Sequence, residues 1–246
     1  MIAYVAEIIP LSFSDYPKEP CCVIFFSGCN FDCGYCQNWK LKKQLKEHII
    51  EIEKIKEIIS KNNLINACKI SGGEPLLQFE ALIEIGKFVK SLGLKFGIDT
   101  NGSLPNVLEK VIPLLDLISI DIKAPLNKEK YSRIIGLNNP PISSIIKSLE
   151  IAIKSNAYLD IRIVIIPGYN DSIEDIKSIT KTLIDLGYEE KESKGKASFT
   201  LMEFVPENAH KDEFKKIMAP SIQKLLSLAS SSGLKNVKIY HRGLSL

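Results

Sequence analysis

The chain has 246 residues, 45% of them hydrophobic and 25% charged, with 32 basic against 29 acidic residues and a formal charge of +3. This is the composition of an ordinary globular protein. So balanced a charge gives no argument for nucleic acid or an anionic membrane, and neither is expected as a partner. No secretory signal or membrane-spanning run is expected, because Glu7 interrupts the first apolar stretch and later apolar runs are short. Six cysteines without a secretory signal indicate a reduced, cytoplasmic protein rather than a disulfide scaffold.

The first half of the chain alternates between short apolar runs and helical periodicity. Residues 1–20 are predicted to be irregular or briefly extended, because three prolines interrupt them. A strand is expected at 22–26, and a basic segment follows at 40–48. Isoleucines from Ile52 to Ile59 have the spacing of one helical face. The next predicted elements are a strand at 67–71, a helix at 79–93, a strand at 94–99 and a short helix near 106–112.

The second half continues the same alternation. It is predicted to contain a strand at 117–122, a Pro/Asn-rich loop, a helix at 143–155, a strand at 158–166, a helix at 172–187, a polar surface loop at 188–198, a strand at 199–205, a helix at 219–231 and a strand at 237–241. Such alternation is typical of βα units around a parallel sheet.

The number of these units favours one α/β fold. About six or seven of them predict a partial or near-complete (β/α) barrel of parallel strands. A doubly wound open sheet is the alternative, although its G-x-G-x-x-G fingerprint is absent after the first strand. We expect a single domain over 1–246, with a core at roughly 20–206 and a C-terminal βα extension at 207–246.

Three cysteines, Cys29, Cys33 and Cys36, follow the first predicted strand with the spacing C-x3-C-x2-C. Thiolates suit iron–sulfur clusters, and three of them on a [4Fe–4S] cluster leave one iron without a protein ligand. A structural zinc site would need four ligands, and the other cysteines are scattered in apolar strands, where free cysteine is usually a buried hydrophobe. The open iron indicates a cluster that binds another molecule.

Further polar motifs also fall where predicted strands end. They are Gly72-Gly73-Glu74-Pro75 after the second strand, Asp99-Thr100-Asn101-Gly102 after the third, Asp121-Ile122-Lys123 at the fourth, and Arg162 within the fifth. In β/α barrels this edge carries the active site. Taken singly, these motifs have structural alternatives: a tight turn at Gly72-Gly73 or at Asn101-Gly102, and a surface ion pair between Asp121 and Lys123. The basic segment at 40–48 is in the same way expected to be a solvated face. His210 and His241 have no ligand spacing and stay unassigned.

The cysteine loop, with Tyr35 before its last cysteine, and the later SGGEP motif at 71–75 resemble the radical S-adenosylmethionine (radical SAM) superfamily. Further motifs are similar to activases of glycyl-radical enzymes, the group of anaerobic ribonucleoside-triphosphate reductase activating proteins and pyruvate formate-lyase activating enzymes. These motifs are SFSDYP at 12–17, SGGEPLLQ at 71–78, DTNG at 99–102, DIKAP at 121–125 and VIIPGYND at 164–171. Gln37 departs from the His that related activases often have there, and no second cysteine-rich insertion is present.

The resemblance implies an oxidoreductase with two cofactors, a [4Fe–4S] cluster on the three cysteines and S-adenosylmethionine on its open iron. An electron from the cluster would cleave the sulfonium, and the resulting radical would take a hydrogen atom from a partner's glycine. The resemblance also implies residue roles. Tyr35 would lie by the adenine, Gly72 and Gly73 by the methionine end, and Glu74 by its ammonium. Asp99 would bind the ribose or, with Thr100 and Asp121, a monovalent cation, and Lys123 and Arg162 would face the carboxylate.

The resemblance implies partners too. These are a glycyl-radical enzyme, expected to be anaerobic ribonucleotide reductase, and a flavodoxin or ferredoxin-type electron donor. Three alternatives stay open. They are a pyruvate formate-lyase-type activase, a radical SAM enzyme acting on a small molecule such as a nucleobase or cofactor precursor, and a non-catalytic iron–sulfur electron carrier.

Overall fold

Parallel strands form the centre of the fold. The computed structural model describes residues 1–242 and 244–245, and its strands belong to one ten-stranded sheet. In chain order they are β1 (Ile2–Ser12), β2 (Cys21–Phe26), β3 (Ile49–Glu51), β4 (Ala67–Gly72), β5 (Lys95–Thr100), β6 (Leu117–Asp121), β7 (Tyr158–Ile165), β8 (Ala197–Glu203), β9 (Val237–His241) and β10 (Leu244–Ser245).

The helices lie between the parallel strands along the chain. They are α1 (Ile52–Ser60), α2 (Phe79–Ser91), α3 (Pro105–Val111), α4 (Lys128–Ile135), α5 (Ile142–Lys154), α6 (Ile173–Asp185), α7 (Tyr188–Ser193), α8 (Asp212–Lys215) and α9 (Ile222–Ser231). Helix α1 buries Ile52, Ile55 and Ile59, which confirms the helical face predicted from their spacing. None of the helices within the described residues is both long and apolar enough to cross a membrane.

The strand order confirms the predicted partial barrel. Across the sheet the order is β10-β9-β8-β7-β6-β5-β4-β2-β1-β3. The run from β2 to β9 is parallel throughout, which makes seven parallel strands, at the upper end of the predicted range. The pairs β1–β2, β1–β3 and β9–β10 are antiparallel and extend the two ends. All carboxyl ends of the parallel strands therefore lie at one edge.

The N-terminal prediction was wrong, because residues 2–12 form the long strand β1. This strand pairs with β2 and buries Ala3 and Val5. Pro10 lies at an irregularity of the register between Ile9 and Ser12, where a strand tolerates a residue without an N–H. Pairing with β2, which sequence periodicity does not reveal, outweighs the local effect of the proline.

Two helices replace predicted loops. Helix α4 lies in the segment expected to be a Pro/Asn-rich loop; the Asn127 side chain caps its first turn and Gly136 ends it. Helix α7 and the start of β8 occupy the predicted surface loop at 188–198. In α7, Tyr188 is fully buried, and the Glu192 carboxylate accepts from the backbone N–H groups of Lys235 and Asn236. These long-range contacts stabilise a segment whose polar composition suggests a loop.

Gln78 ties β1 to the loop after β2. Its amide oxygen accepts from Tyr4 N at 2.8 Å, and its nitrogen donates to Tyr4 O at 2.9 Å and to Ser27 O at 3.0 Å. Ser27 directly precedes the cysteine loop. The antiparallel extension of the sheet thus supports the position of that loop.

Candidate active site at the carboxyl edge of the sheet

A cavity of about 250 Å³ lies at the carboxyl ends of the central strands. Most of the predicted site residues line it, although they are far apart in the chain. Those lining the cavity are Cys29, Cys33, Tyr35, Cys36, Gly72, Gly73, Asp99, Thr100, Asp121, Lys123 and Arg162. The parallel strands bring their ends together here, so one cavity collects motifs from five of them.

The three cysteines lie in a loop whose start is fixed by backbone hydrogen bonds to the segment that follows it. Gly28 N donates to Leu41 O at 2.7 Å, and Cys29 N donates to Lys42 O at 3.0 Å. Burial raises the pKa of Cys29 to about 11 and that of Cys33 to about 12, so the free thiols are protonated at neutral pH. A bound metal centre would displace these protons, since a coordinated thiol is deprotonated.

The donor set suits a cluster better than a single ion. Within residues 1–242, no three His, Cys, Asp or Glu side chains are grouped so that they could hold one metal ion. In a [4Fe–4S] cluster each thiolate binds a different iron, so three thiolates need not converge on one point, and Cys29, Cys33 and Cys36 all line the same cavity. The residues present therefore fit a cluster held by three thiolates.

Two glycines at the end of β4 allow the backbone to approach the cysteine loop closely. Gly72 has a φ of +106°, and a Cβ there would overlap the carbonyl oxygen of Phe26. A Cβ on Gly73 would overlap the carbonyl oxygen of Gly28, the residue before Cys29. Gly73 N donates to Phe26 O at 2.8 Å. Both glycines line the cavity, where a backbone without side chains leaves room for a ligand.

Glu74 is the one predicted contact that does not line the cavity. Its side chain is fully buried and accepts from Leu76 N at 3.1 Å, Thr100 Oγ1 at 2.8 Å and Asn101 N at 2.7 Å. Burial raises the pKa of Glu74 to about 7, although these donors favour the carboxylate. In this structure the side chain joins the loop after β4 to the loop after β5. Direct contact with a ligand ammonium stays a prediction.

Asp99 belongs to a buried ionic network that crosses several strands. Its Oδ1 atom pairs with Lys69 Nζ at 2.7 Å and Arg162 Nη1 at 3.2 Å, while Oδ2 accepts from Ser71 Oγ at 2.8 Å. Burial acts to raise the pKa of Asp99, but the two cations outweigh it and lower the value to about 2. Arg162 Nε also donates to Asp160 at 2.6 Å. The charges at this side of the cavity are thus held in place before any ligand binds.

Lys123 and Asp121 form an ion pair of 2.7 Å in the cavity wall. The Lys123 side chain is only 12% exposed, so the pair is not the solvated surface bridge considered as the alternative. Burial acts to lower the pKa of Lys123, but Asp121 and nearby acidic groups raise it well above its ordinary value. Its ammonium lies 5.9 Å from the centre of the Tyr35 ring. The cysteine loop therefore has a permanent cation beside it.

The three oxygen ligands proposed for a monovalent cation already have protein partners. Asp99 pairs with Lys69 and Arg162, the Thr100 hydroxyl donates to Glu74, and Asp121 pairs with Lys123. A cation at this point would have to displace one of these contacts. The cation site stays a prediction.

Two aromatic residues at the cavity were not identified from the sequence. The rings of Trp39 and His210 stack with centroids 5.0 Å apart and an interplanar angle of 23°, and both side chains line the cavity. Trp39 is 37% exposed. Its position three residues after Cys36 is a local signal, whereas nothing in the sequence near His210 points to the cysteine loop.

Asn30 is a further residue that sequence reasoning missed. It lies between Cys29 and Cys33 and joins the cysteine loop to the DTNG segment. Its side-chain nitrogen donates to Ser103 Oγ at 2.8 Å, and its oxygen accepts from Asn101 Nδ2 at 2.9 Å. Asn101 also lines the cavity, so its side chain has a role beyond the turn that Asn-Gly predicts.

Comparison with known families matches residues 23–180 to the Radical SAM superfamily. The chain belongs to the radical SAM superfamily. It is 34% identical over 233 residues to a protein of Methanocaldococcus jannaschii named as a candidate glycyl-radical enzyme activating enzyme, covering 93% of this chain and 91% of that one. It is also 32% identical over 177 residues to the pyruvate formate-lyase-activating enzyme of Clostridium pasteurianum, covering 69% of this chain and 71% of that one. Within the superfamily it thus belongs to the glycyl-radical enzyme activating enzymes.

A solved structure supports the fold. A radical SAM methyltransferase from Sphaerobacter thermophilus superposes with a TM-score of 0.71 at 16% identity, covering 95% of this chain and 69% of that one. Radical SAM enzymes use a [4Fe–4S] cluster and S-adenosylmethionine, which confirms the predicted cofactors. The three thiols, the two glycines at the end of β4 (Gly72 and Gly73, here called the glycine cradle) and the paired charges of the cavity wall fit both cofactors.

Proposed function

We propose that this enzyme installs a glycyl radical on anaerobic ribonucleoside-triphosphate reductase. The observation that carries the proposal is one cavity that joins a three-cysteine loop to a glycine cradle and a buried ionic network, in a chain that spans 91% of an activase relative. The partner is taken from the resemblance of the motifs described above to the group of activases that includes the activating proteins of this reductase.

The residues of the cavity have separable tasks in this proposal. Cys29, Cys33 and Cys36 hold the cluster, and Gly72 and Gly73 leave room for the methionine end of the cofactor. When bound, the two cofactors supply reductive cleavage of the sulfonium and the abstraction of a hydrogen atom from the partner. The protein contributes binding, orientation and exclusion of water.

Fixed cations orient the cofactor carboxylate. Lys123 carries its charge beside the cysteine loop, and Arg162 carries a second one in the wall of the same cavity, on the strand next to Asp121. Both are held by carboxylates within the cavity wall, so they do not need to reorganise when a charged ligand enters. Asp99 pairs with both Lys69 and Arg162 through one oxygen, and its other oxygen accepts, within residues 1–242, from Ser71 alone and is placed to accept from a ribose hydroxyl as well.

The partner's glycine loop is proposed to enter past Trp39. This residue begins a 3₁₀ turn, Trp39–Lys42, that buries none of its side chains, and it lies on the cavity wall with His210. An extended loop carrying a small residue can follow such an exposed wall to the cavity. A small-molecule enzyme would instead need polar groups that enclose its substrate.

A flavodoxin or ferredoxin-type donor is proposed to bind the basic segment at 40–48. Lys40, Lys43 and Lys46 are exposed there, and the carbonyl groups of Leu41 and Lys42 accept hydrogen bonds from the cysteine loop. An acidic donor on this face would approach the cluster with electrostatic steering. All six cysteines are free, in keeping with the proposal of a reducing, cytoplasmic compartment.

The second candidate partner is pyruvate formate-lyase, because several relatives are named as its activating enzymes. The two partners are compared in one experiment. The reconstituted, reduced enzyme is incubated anaerobically with S-adenosylmethionine and either partner, and electron paramagnetic resonance records the glycyl doublet. We expect the doublet with the reductase. A doublet on the lyase alone would transfer the proposal to that partner.

Control variants distinguish the cleavage of S-adenosylmethionine from the choice of the partner enzyme. Cys36→Ala should abolish formation of 5′-deoxyadenosine, whereas Cys68→Ala, a buried cysteine outside the loop, should retain it. If wild-type protein forms no 5′-deoxyadenosine with any reductant, the proposed reaction is wrong. If the protein forms 5′-deoxyadenosine and consumes a small metabolite, but produces a glycyl doublet on neither partner, the small-molecule alternative holds.

A further inference from the structure

A second cavity, of about 350 Å³, lies at the opposite edge of the sheet from the cysteines. Its walls come from segment 153–156 before β7, segment 186–187 after α6, and segment 190–196 before β8. Because β7 and β8 are parallel, these segments meet at their amino ends. None of the residues assigned above to the cluster or S-adenosylmethionine contributes to this cavity.

The lining of this second cavity is strongly basic. It contains four lysines, Lys154, Lys191, Lys194 and Lys196, and a single carboxylate, Glu190. Glu190 is exposed and pairs with Lys194 at 2.7 Å. Three lysines therefore face the cavity without an ion pair among residues 1–242, and the cavity carries a net positive charge.

Lys191 is the unusual member of this set, because its side chain is inside the protein. The residue is only 5% exposed, and its ammonium donates to Ser155 O at 2.6 Å. No carboxylate of residues 1–242 pairs with it, although an ammonium has three N–H donors. Burial, together with the nearby charges of Lys196 and Lys194, lowers the pKa of Lys191 to about 8. Buried cations are normally paired, so this one calls for an anion in the adjoining cavity.

We propose that this second cavity binds the phosphate group of a small phosphorylated metabolite. A dianionic phosphate offers several acceptor oxygens, and it matches a cluster of lysines better than a single carboxylate does. At about 350 Å³, the cavity has room for a phosphate group and for an organic group attached to it. For comparison, a single water molecule occupies about 30 Å³. Ile153 and Leu186 supply apolar wall for the organic part. The site is independent of the proposed function, because it lies on different segments.

The proposal is tested by calorimetric titration of the anaerobic, cluster-loaded enzyme. The probes are inorganic phosphate and ribose 5-phosphate, with ribose and sodium chloride at matched ionic strength as controls. We expect saturable binding of a phosphate-bearing probe and none of ribose. Tighter binding of ribose 5-phosphate would indicate an organic phosphate, and equal binding would indicate the free ion. Absence of saturable binding of both probes would overturn the proposal.

Variants locate the site. Lys191→Met, which keeps the aliphatic stem, should weaken phosphate binding by about tenfold or more, equivalent to about 1.4 kcal/mol. Lys196→Ala, at an exposed residue, should weaken it in the same direction without disturbing the fold. Lys54→Ala, an exposed lysine on α1, removes the same charge outside the cavity and should bind phosphate as the wild type does. Unchanged binding in both Lys191→Met and Lys196→Ala would contradict the assignment.

Discussion

Lys69 joins the N-terminal segment to the cavity at the carboxyl ends of the strands through a single buried ammonium. The side chain is 1% exposed, and its Nζ atom donates to Asp15 O at 2.8 Å and pairs with Asp99 at 2.7 Å. Asp15 belongs to the SFSDYP motif, which the resemblance picked out without a role. The structure gives the motif a physical task, since its backbone helps to orient the lysine that positions Asp99.

Lys69→Met should loosen Asp99 without removing the cluster. The variant removes one partner of Asp99, which keeps Arg162 and Ser71, and removes the donor to Asp15 O, a loss of about 1–3 kcal/mol for each buried group. We expect the Kd for S-adenosylmethionine to rise by about tenfold, with the iron content unchanged. Equilibrium binding and iron analysis measure the two quantities.

Lys95→Met is the matched control for this variant. Lys95 lies on the neighbouring strand β5, but its ion pair with Glu19 is outside the cavity and its side chain is 52% exposed. This variant should bind S-adenosylmethionine normally. If Lys69→Met also did so, the network would not position Asp99.

Glu74 should make the stability of the fold depend on pH. Its folded pKa, about 7, lies above its ordinary value of 4.5, so the folded state holds the proton more tightly than the unfolded state. The contribution of the Glu74 proton to the free energy of unfolding is therefore complete below pH 4.5. It is lost as the pH rises towards about 7, by about 3 kcal/mol in all. Glu74→Gln should remove this slope.

Denaturant unfolding of the cluster-free protein between pH 5 and 8 tests the effect of Glu74. Glu109→Gln, at an exposed glutamate on α3, serves as the control and should keep the wild-type profile. If the Glu74→Gln profile ran parallel to that of the wild type, Glu74 would not be the source of the pH dependence of stability.

At the scale of elements, the end of β4 and the loop after β2 form one unit. Gly73 N donates to Phe26 O and Glu74 N donates to Gly28 O, both at 2.8 Å. Asn30 then joins the cysteine loop to the segment after β5. The strand ends are therefore bonded to one another directly, and a displacement of one loop changes the cavity as a whole.

Gly73→Ala should disrupt this unit. The added methyl group would overlap the backbone carbonyl of Gly28, which a small rotation cannot relieve. We expect lower iron content after reconstitution and loss of 5′-deoxyadenosine formation. Gly93→Ala is the control, because a Cβ there meets no atom within 4 Å and introduces only backbone strain, about 1 kcal/mol. Equal behaviour of the two variants would exclude the steric explanation.

At the scale of the whole molecule, the hydrophobic core is independent of the cluster. It runs through the parallel strands and the helices between them, and of the three cysteines proposed to hold a cluster, Cys29 and Cys33 pack against it as partly buried residues. Small zinc domains unfold without their metal because they lack such a core. We therefore expect a cluster held by these cysteines to stabilise the loop, while the packing of the core stabilises the barrel.

Chelation of the cluster should therefore leave the fold intact. We expect unchanged far-UV circular dichroism, with faster hydrogen exchange at Gly28 and Cys29, whose amides hold the loop to Leu41 and Lys42. The amides of β6, at the centre of the sheet, provide the internal reference and should keep their protection. Cooperative loss of all protection on chelation would contradict this division.

The sequence alone determined the chemistry and the class of fold. The spacing of Cys29, Cys33 and Cys36, the SGGEP motif and the alternation of strands with helices are local signals, readable over a few residues at a time. They predicted the parallel partial barrel, and they predicted the family through its motifs. They failed at β1 and α7, where burial against distant segments outweighs Pro10 or a polar composition.

Only the tertiary structure decided which polar groups meet. Lys69 and Asp15 are 54 residues apart in the chain, and Asn30 and Ser103 are 73 apart. The stacking of Trp39 on His210 and the lysine-lined second cavity also depend on segments that are distant in sequence. Periodicity and motif spacing describe single elements, whereas these contacts arise from the register of the parallel strands, which brings their ends together in space.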